Sequence, residues 1–191
     1  SMTSRDHIVS ADKRRVWHPY TPMGQYVEHT EPLCIARAHG SRLFDADGRS
    51  YLDGNSSWWT AALGHGHPRL VDALERQAES MCHVPLAGIA HEPAALLAEE
   101  LVSAAPEGLS RVFFSDDGST AVEVALKLAL QYWHQNGRPS RTRFVALGGA
   151  FHGETLGASA LGGVELFRRP FAGVLLDCIH VPVEPSGYAE A

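Results

Sequence analysis

Phe114-Ser115-Asp116-Asp117-Gly118-Ser119-Thr120-Ala121-Val122-Glu123 is the stretch whose reading decides the fold. Arg111 to Ser115 reads as a short β-branched and aromatic strand, and Asp116 to Ser119 as a tight turn. Thr120 to Trp133 then carries apolar residues at helical spacing and ends near Gly137. Strand, glycine turn and helix in that order present free backbone N–H groups at the positive end of a helix dipole. That arrangement binds anions. Gly118 would let a phosphate come close to the backbone, and Ser119 would add a hydroxyl donor. A plainer reading of the same residues is helix capping, with Thr120-x-x-Glu123 fitting a capping box. Neither G-x-x-x-x-G-K-[ST] nor G-x-G-x-x-G occurs here, which excludes the common nucleotide-binding loops.

Downstream, Arg143 to Leu147 is a second expected strand, followed by the glycine-rich Gly148-Gly149-Ala150-Phe151-His152-Gly153. Val174 to Val181 holds a third. Alternating strands and helices predict an α/β fold with a parallel sheet. An aromatic ring between glycines after a strand, here Phe151, either lies against a planar ligand or packs in a turn.

Upstream, residues 1–32 are polar and turn-rich, and the prolines of Trp17-His18-Pro19-Tyr20-Thr21-Pro22 exclude a helix across that knot. Leu33 to Ala38, Arg42 to Asp45 and Arg49 to Asp53 predict an antiparallel unit turning at Asp47-Gly48. Gly54 to Trp59 is expected as a loop whose tryptophans either line an apolar pocket or cover a domain seam. Pro68 opens an amphipathic helix over 68–82, and a second helix runs from Pro93 to Ala105 before Pro106.

The 191 residues carry 22 acids and 16 bases, a net charge of −6, which disfavours a bulk-cationic nucleic-acid binder. No apolar run approaches the length of a membrane span. Cys34, Cys82 and Cys178 are odd in number and widely spaced, so free thiols in a cytoplasmic protein are expected. His65-x-His67 sits in a Gly/Pro turn without a Cys or acid at ligand spacing, so no metal is expected. Ser1-Met2 reads as a remnant of expression, and Pro182 to Ala191 as a stretch that stops in mid-fold.

Trp17-His18-Pro19-Tyr20-Thr21, Leu52-Asp53-Gly54-Asn55-Ser56-Ser57-Trp58-Trp59, Gly64-His65-Gly66-His67-Pro68, the Ser115 to Lys127 segment and Phe151-His152-Gly153-Glu154-Thr155 together resemble the N-terminal portion of a class III aminotransferase. Ser-Ser-Trp-Trp and Trp-His-Pro-Tyr point to the branch of that family that serves biotin synthesis. The resemblance runs from about Arg14 to the mid-170s and covers less than half of a complete enzyme.

That resemblance implies a fold-type I transferase dependent on pyridoxal 5'-phosphate, truncated here, with a small antiparallel β-unit leading into a parallel-sheet large domain. It implies residues 1–62 as the N-terminal segment with part of the small domain, and 63–191 as the first part of the cofactor-binding domain. Gly118 and Ser119 would bind the cofactor phosphate, Phe151 would stack on its ring with His152 beside it, and Tyr20, Trp58 and Trp59 would line the substrate pocket. The implied substrates are S-adenosylmethionine as amino donor and 8-amino-7-oxononanoate as acceptor, with 7,8-diaminononanoate as product, in a cytoplasmic homodimer. The biotin branch usually carries Tyr where Phe151 stands; stacking survives the change and the phenol hydroxyl does not. Two other expectations stay open: a class III omega-amino-acid aminotransferase with another donor, and a non-catalytic truncated module that binds a ligand or heterodimerises.

Transamination needs a lysine that forms a Schiff base and shuttles a proton. Fourteen of the 16 bases are arginine, leaving Lys13 in a polar run and Lys127 about 10 Å along its helix. The family's lysine comes much later in the chain, so the Schiff-base lysine is expected to be absent and this chain, by itself, inactive.

Overall fold

A computed structural model describes residues 4–183. The expectations for Ser1-Met2 and for the end of the Pro182–Ala191 stretch lie outside those residues. The chain divides into two compact units, residues 1–90 and 91–191.

In the first unit, helices α1 (Arg5–Arg15) and α2 (Met23–His29) lie in the region expected to be turn-rich. Helical periodicity misses α1 because none of its residues is buried. It is stabilised instead by its ends. The Ser4 hydroxyl accepts the His7 N–H at 3.3 Å, Asp6 lies in the first turn, and Lys13, Arg14 and Arg15 lie in the last. The Tyr26 hydroxyl of α2 donates to Asp12 of α1 at 2.5 Å, and the His18 ring meets the same carboxylate at 2.9 Å. The Trp17–Pro22 knot is not helical, as its prolines require.

Strands β1 (Ile35–His39), β2 (Arg42–Asp45) and β3 (Ser50–Leu52) form the expected antiparallel meander. Its hairpin is organised by a buried carboxylate: Asp45 accepts the N–H groups of Asp47 and Arg49 and the Tyr51 hydroxyl, at 3.0, 2.8 and 2.8 Å. Satisfying a buried acid with three donors removes most of its desolvation cost. Gly48 takes φ +84° at the turn.

The expected loop at 54–59 contains a single turn, α3 (Ser56–Trp59), wound left-handed, with φ of 51, 50, 59 and 67°. Helix α4 (Pro68–Ser80) starts on its proline and has no buried residue; Leu74 is 71% exposed.

In the second unit, α5 (Glu92–Ala104) precedes α6 (Gly118–Gln135), which buries Leu126 and ends before Gly137 at φ +73°. Strands β4 (Phe144–Leu147) and β5 (Cys178–Val181) pair in parallel, Phe144 opposite Cys178 through Leu147 opposite Val181. Their crossover contains α7 (Leu156–Leu161), α8 (Glu165–Arg168) and a 3-10 turn, Arg169–Phe171. Helix α7 packs on α6, β4 and β5, and its Gly157–Ala160 are all buried. It is therefore the centre of this unit.

Two expectations are corrected. Arg111 to Ser115 is not a strand: it has no ladder partner among the described residues, and Phe113 is 70% exposed. Strand composition becomes strand only where a neighbour accepts its hydrogen bonds. The capping box is not Thr120 with Glu123 but Asp117 with Thr120. The Asp117 carboxylate accepts the Thr120 N–H at 2.7 Å, and the Thr120 hydroxyl accepts the Asp117 N–H at 3.0 Å. The helix accordingly begins two residues earlier, at Gly118.

Candidate functional site

The start of α6 is open. A Cβ on Gly118 would meet nothing within 4 Å, and the Gly118 N–H has no protein acceptor among the described residues. The Thr120 amide and then its hydroxyl hold the Asp117 carboxyl below its ordinary pKa, so the cap stays ionised at neutral pH.

Ser119 is tied to the loop after β4. Its Oγ accepts the Thr155 N–H at 3.1 Å and lies 2.8 Å from the Thr155 hydroxyl. Gly153, at φ +122°, is required here: a Cβ would stand 2.4 Å from Ser119 Oγ. The loop thus carries Phe151 and His152 on a segment fastened to the head of α6. Both are exposed, and Phe151 makes an edge-on contact with Phe167 at 6.1 Å between centroids.

Glu123, one turn beyond Ser119, caps α7 rather than α6. Its Oε1 accepts the Gly157 and Ala158 N–H groups at 2.6 and 3.2 Å. The Thr155 hydroxyl first, then these amides and Lys127, hold the Glu123 carboxyl below its ordinary value against the opposing effect of partial burial. Neither Glu123 nor Thr155 stands out as a site residue by residue type. The signal for them is the glycine spacing, Gly153 and Gly157, opposite side chains four apart on one helix face.

In the first unit, Tyr20 and Trp58 meet edge to face at 5.6 Å, and Tyr20, Trp58 and Trp59 are all exposed. The turn that bears Trp58 and Trp59 is clamped. Asp53 accepts the Ser57 N–H at 2.9 Å, the Ser57 hydroxyl at 2.7 Å, and His65 Nε2 at 2.7 Å. His65 first, then Ser57, lower the Asp53 pKa. This Ser, His and Asp set is not a hydrolytic triad, because serine and aspartate share one ring nitrogen of His65.

Lys13 Nζ donates to the Val27 carbonyl at 3.2 Å, and Lys127 lies along α6, one turn past Glu123.

Residues 24–189 match the aminotransferase class-III family, and the chain belongs to it. It is 48% identical over 175 residues to the adenosylmethionine-8-amino-7-oxononanoate aminotransferase of Synechococcus elongatus, a match covering 92% of this chain and 40% of that relative. The crystal structure of the enzyme so named from Methanocaldococcus jannaschii superposes with a TM-score of 0.89 at 39% identity, over 94% of this chain and 41% of that one. The omega transaminase of Pseudomonas jessenii, solved in complex with PMP, gives 0.84 at 30% identity, over 92% and 39%. The architecture is that of a fold-type I transaminase, and the chain spans about two fifths of the length of the curated relatives it matches.

Proposed function

We propose that the whole protein is a pyridoxal-phosphate-dependent aminotransferase that moves an amino group from S-adenosylmethionine to 8-amino-7-oxononanoate, in a cytoplasmic homodimer. The observation that carries this reading is the open, donor-bearing head of α6 at Gly118–Ser119, bonded through Thr155 to the loop that presents Phe151. The names of the similar enzymes support the donor and acceptor. Residues 1–62 contribute the N-terminal segment with part of the small domain, and residues 63–191 the first part of the cofactor domain.

The residues present fit the phosphate and ring of the cofactor. Gly118 offers its N–H, Ser119 its N-terminal helix position and hydroxyl, Phe151 a face for stacking, and His152 a neighbouring ring. Bound there, pyridoxal phosphate supplies the electron sink of amino transfer. Tyr20, Trp58 and Trp59 line the pocket for the long oxo-acid and the donor. No catalytic lysine is assigned to this chain: Lys13 is engaged with Val27, and Lys127 is an exposed residue of α6 one turn past Glu123. The chain alone is inactive.

Pyridoxamine 5'-phosphate tests the reading because it needs no lysine for attachment. The chain is expected to bind it, and Ser119→Ala to weaken binding at least fivefold. A chain that binds none overturns the assignment. For the whole protein, turnover with S-adenosylmethionine but not β-alanine is expected. The reverse favours an omega-amino-acid aminotransferase, the reading that Phe151 in place of tyrosine supports.

A further inference from the structure

Helix α7 begins without a cap of its own. Thr155 stands at its N-cap but makes no side-chain bond to it, its hydroxyl being turned to Ser119. Yet Gly157 and Ala158 are buried, where amides without acceptors are costly. The acceptor comes from another helix. Ser119 and Glu123 are four residues apart on α6 and project to the same side, Ser119 onto Thr155 and Glu123 onto Gly157 and Ala158. Two glycines fit around these side chains. A Cβ on Gly153 would stand 2.4 Å from Ser119 Oγ, and one on Gly157 would stand 2.4 Å from Glu123 Oε2. The segment from 153 to 158 is thus held at two points, and the loop that carries Phe151 runs from the end of β4 to the first of them.

From this geometry we infer that Glu123 is a positioning residue for ring binding: by capping α7 it fixes where Phe151 stands relative to the head of α6, without touching the phosphate. The inference rests on the cofactor reading above. It gives the loop two fixing points on one helix face. Ser119, through Thr155, fastens it beside the phosphate position, and Glu123 fastens it one turn further along, away from the phosphate. A shortened side chain at 123 leaves two buried amides unpaired and loosens the loop. Glutamine keeps the acceptor oxygen and should hold the loop.

The test has two readouts on the chain itself. Without ligand, Glu123→Ala should speed amide exchange across residues 149–161 at least tenfold and leave α4 unchanged. With ligand, Glu123→Ala should weaken pyridoxamine 5'-phosphate at least tenfold while competition by inorganic phosphate stays within twofold. Glu123→Gln should restore affinity to within threefold of the unsubstituted chain, and Thr155→Val should weaken both ligands. Should Glu123→Ala fail to fold, Gly157→Ala displaces the carboxylate without removing it and should give the same pattern. Unchanged exchange, or affinity within twofold in Glu123→Ala, overturns the inference. An unsubstituted chain that binds no pyridoxamine 5'-phosphate overturns the cofactor reading instead, and the exchange comparison still decides whether Glu123 holds the loop.

Discussion

The Glu123 carboxylate and the Gly157 N–H stand 2.6 Å apart, so a side chain of α6 caps a helix that begins 33 residues later. The contact leaves no room for a methyl group at 157, where a Cβ would approach Oε2 to 2.4 Å. Gly157→Ala should therefore destabilise the second unit by about 1–3 kcal/mol, the usual range for overpacking. In a Glu123→Ala background the same substitution should cost much less, because the clashing oxygens are gone. Urea denaturation of the four proteins gives the cycle; equal costs in both backgrounds would show that Gly157 answers to something other than Glu123.

Acid should weaken the same contact. The Glu123 carboxyl is held below its ordinary pKa by the Thr155 hydroxyl, the two α7 amides and Lys127. A depressed folded-state value contributes stability that is present above the unfolded value, about 4.3, and is lost as pH falls through the folded value. Stability of the second unit should accordingly decline below about pH 4. Glu123→Gln should flatten that part of the profile, as read from denaturation midpoints across the acid range.

Leu126 is the buried apolar side chain of α6, the helix whose open start carries Gly118 and Ser119. Leu126→Ala should cost about 2–5 kcal/mol. Urea unfolding followed by circular dichroism measures it, and a loss near zero would mean α6 is held by its ends alone.

Much of this architecture is legible in the sequence because apolar periodicity and turn residues act locally. The β1–β3 meander, α4 starting at Pro68, α5, and parallel strands after Arg143 and Val174 all follow from them. What escapes is set by distant partners. Helices α1 and α2 lack a strong apolar stripe and are joined through Asp12, His18 and Tyr26. Arg111 to Ser115 has strand composition but no neighbour to pair with. In the candidate site, Gly118, Ser119 and Phe151 can be picked out by type and spacing. Glu123 looks like the third residue of a capping box until the chain folds and Asp117 takes that part.

Tyr26 offers an alkaline counterpart. Its hydroxyl donates to Asp12, and that bond, with burial, pushes its pKa up to about 12. A raised folded-state value contributes stability present below the unfolded value, about 10, and lost as pH rises through the folded one. Phenolate absorbance should show a tyrosine ionising at about 12, read in a Tyr51→Phe background because the Asp45 carboxylate raises Tyr51 in the same direction. Asp12→Asn should bring it back toward 10; a late tyrosine that persists in that variant would place the cause elsewhere.

The turn bearing Trp58 and Trp59 stores backbone strain that Asp53 holds in place. A left-handed residue other than glycine costs about 1–2 kcal/mol, and Ser56, Ser57, Trp58 and Trp59 are four in succession. Such strain persists only where surrounding bonds over-determine it. Asp53 supplies them, accepting from the Ser57 N–H, the Ser57 hydroxyl and His65. Two substitutions should therefore act in opposite directions. Asp53→Ala should release the turn, remove the near-ultraviolet dichroism of the Tyr20–Trp58 pair and raise acrylamide quenching of tryptophan. Ser56→Gly keeps every bond to Asp53 and relaxes a residue at φ 51°, so it should stabilise the first unit by about 0.5–1 kcal/mol with the dichroism intact. If Ser56→Gly destabilises, the left-handed turn is not the conformation that Asp53 maintains, and the presentation of Trp58 and Trp59 must have another origin.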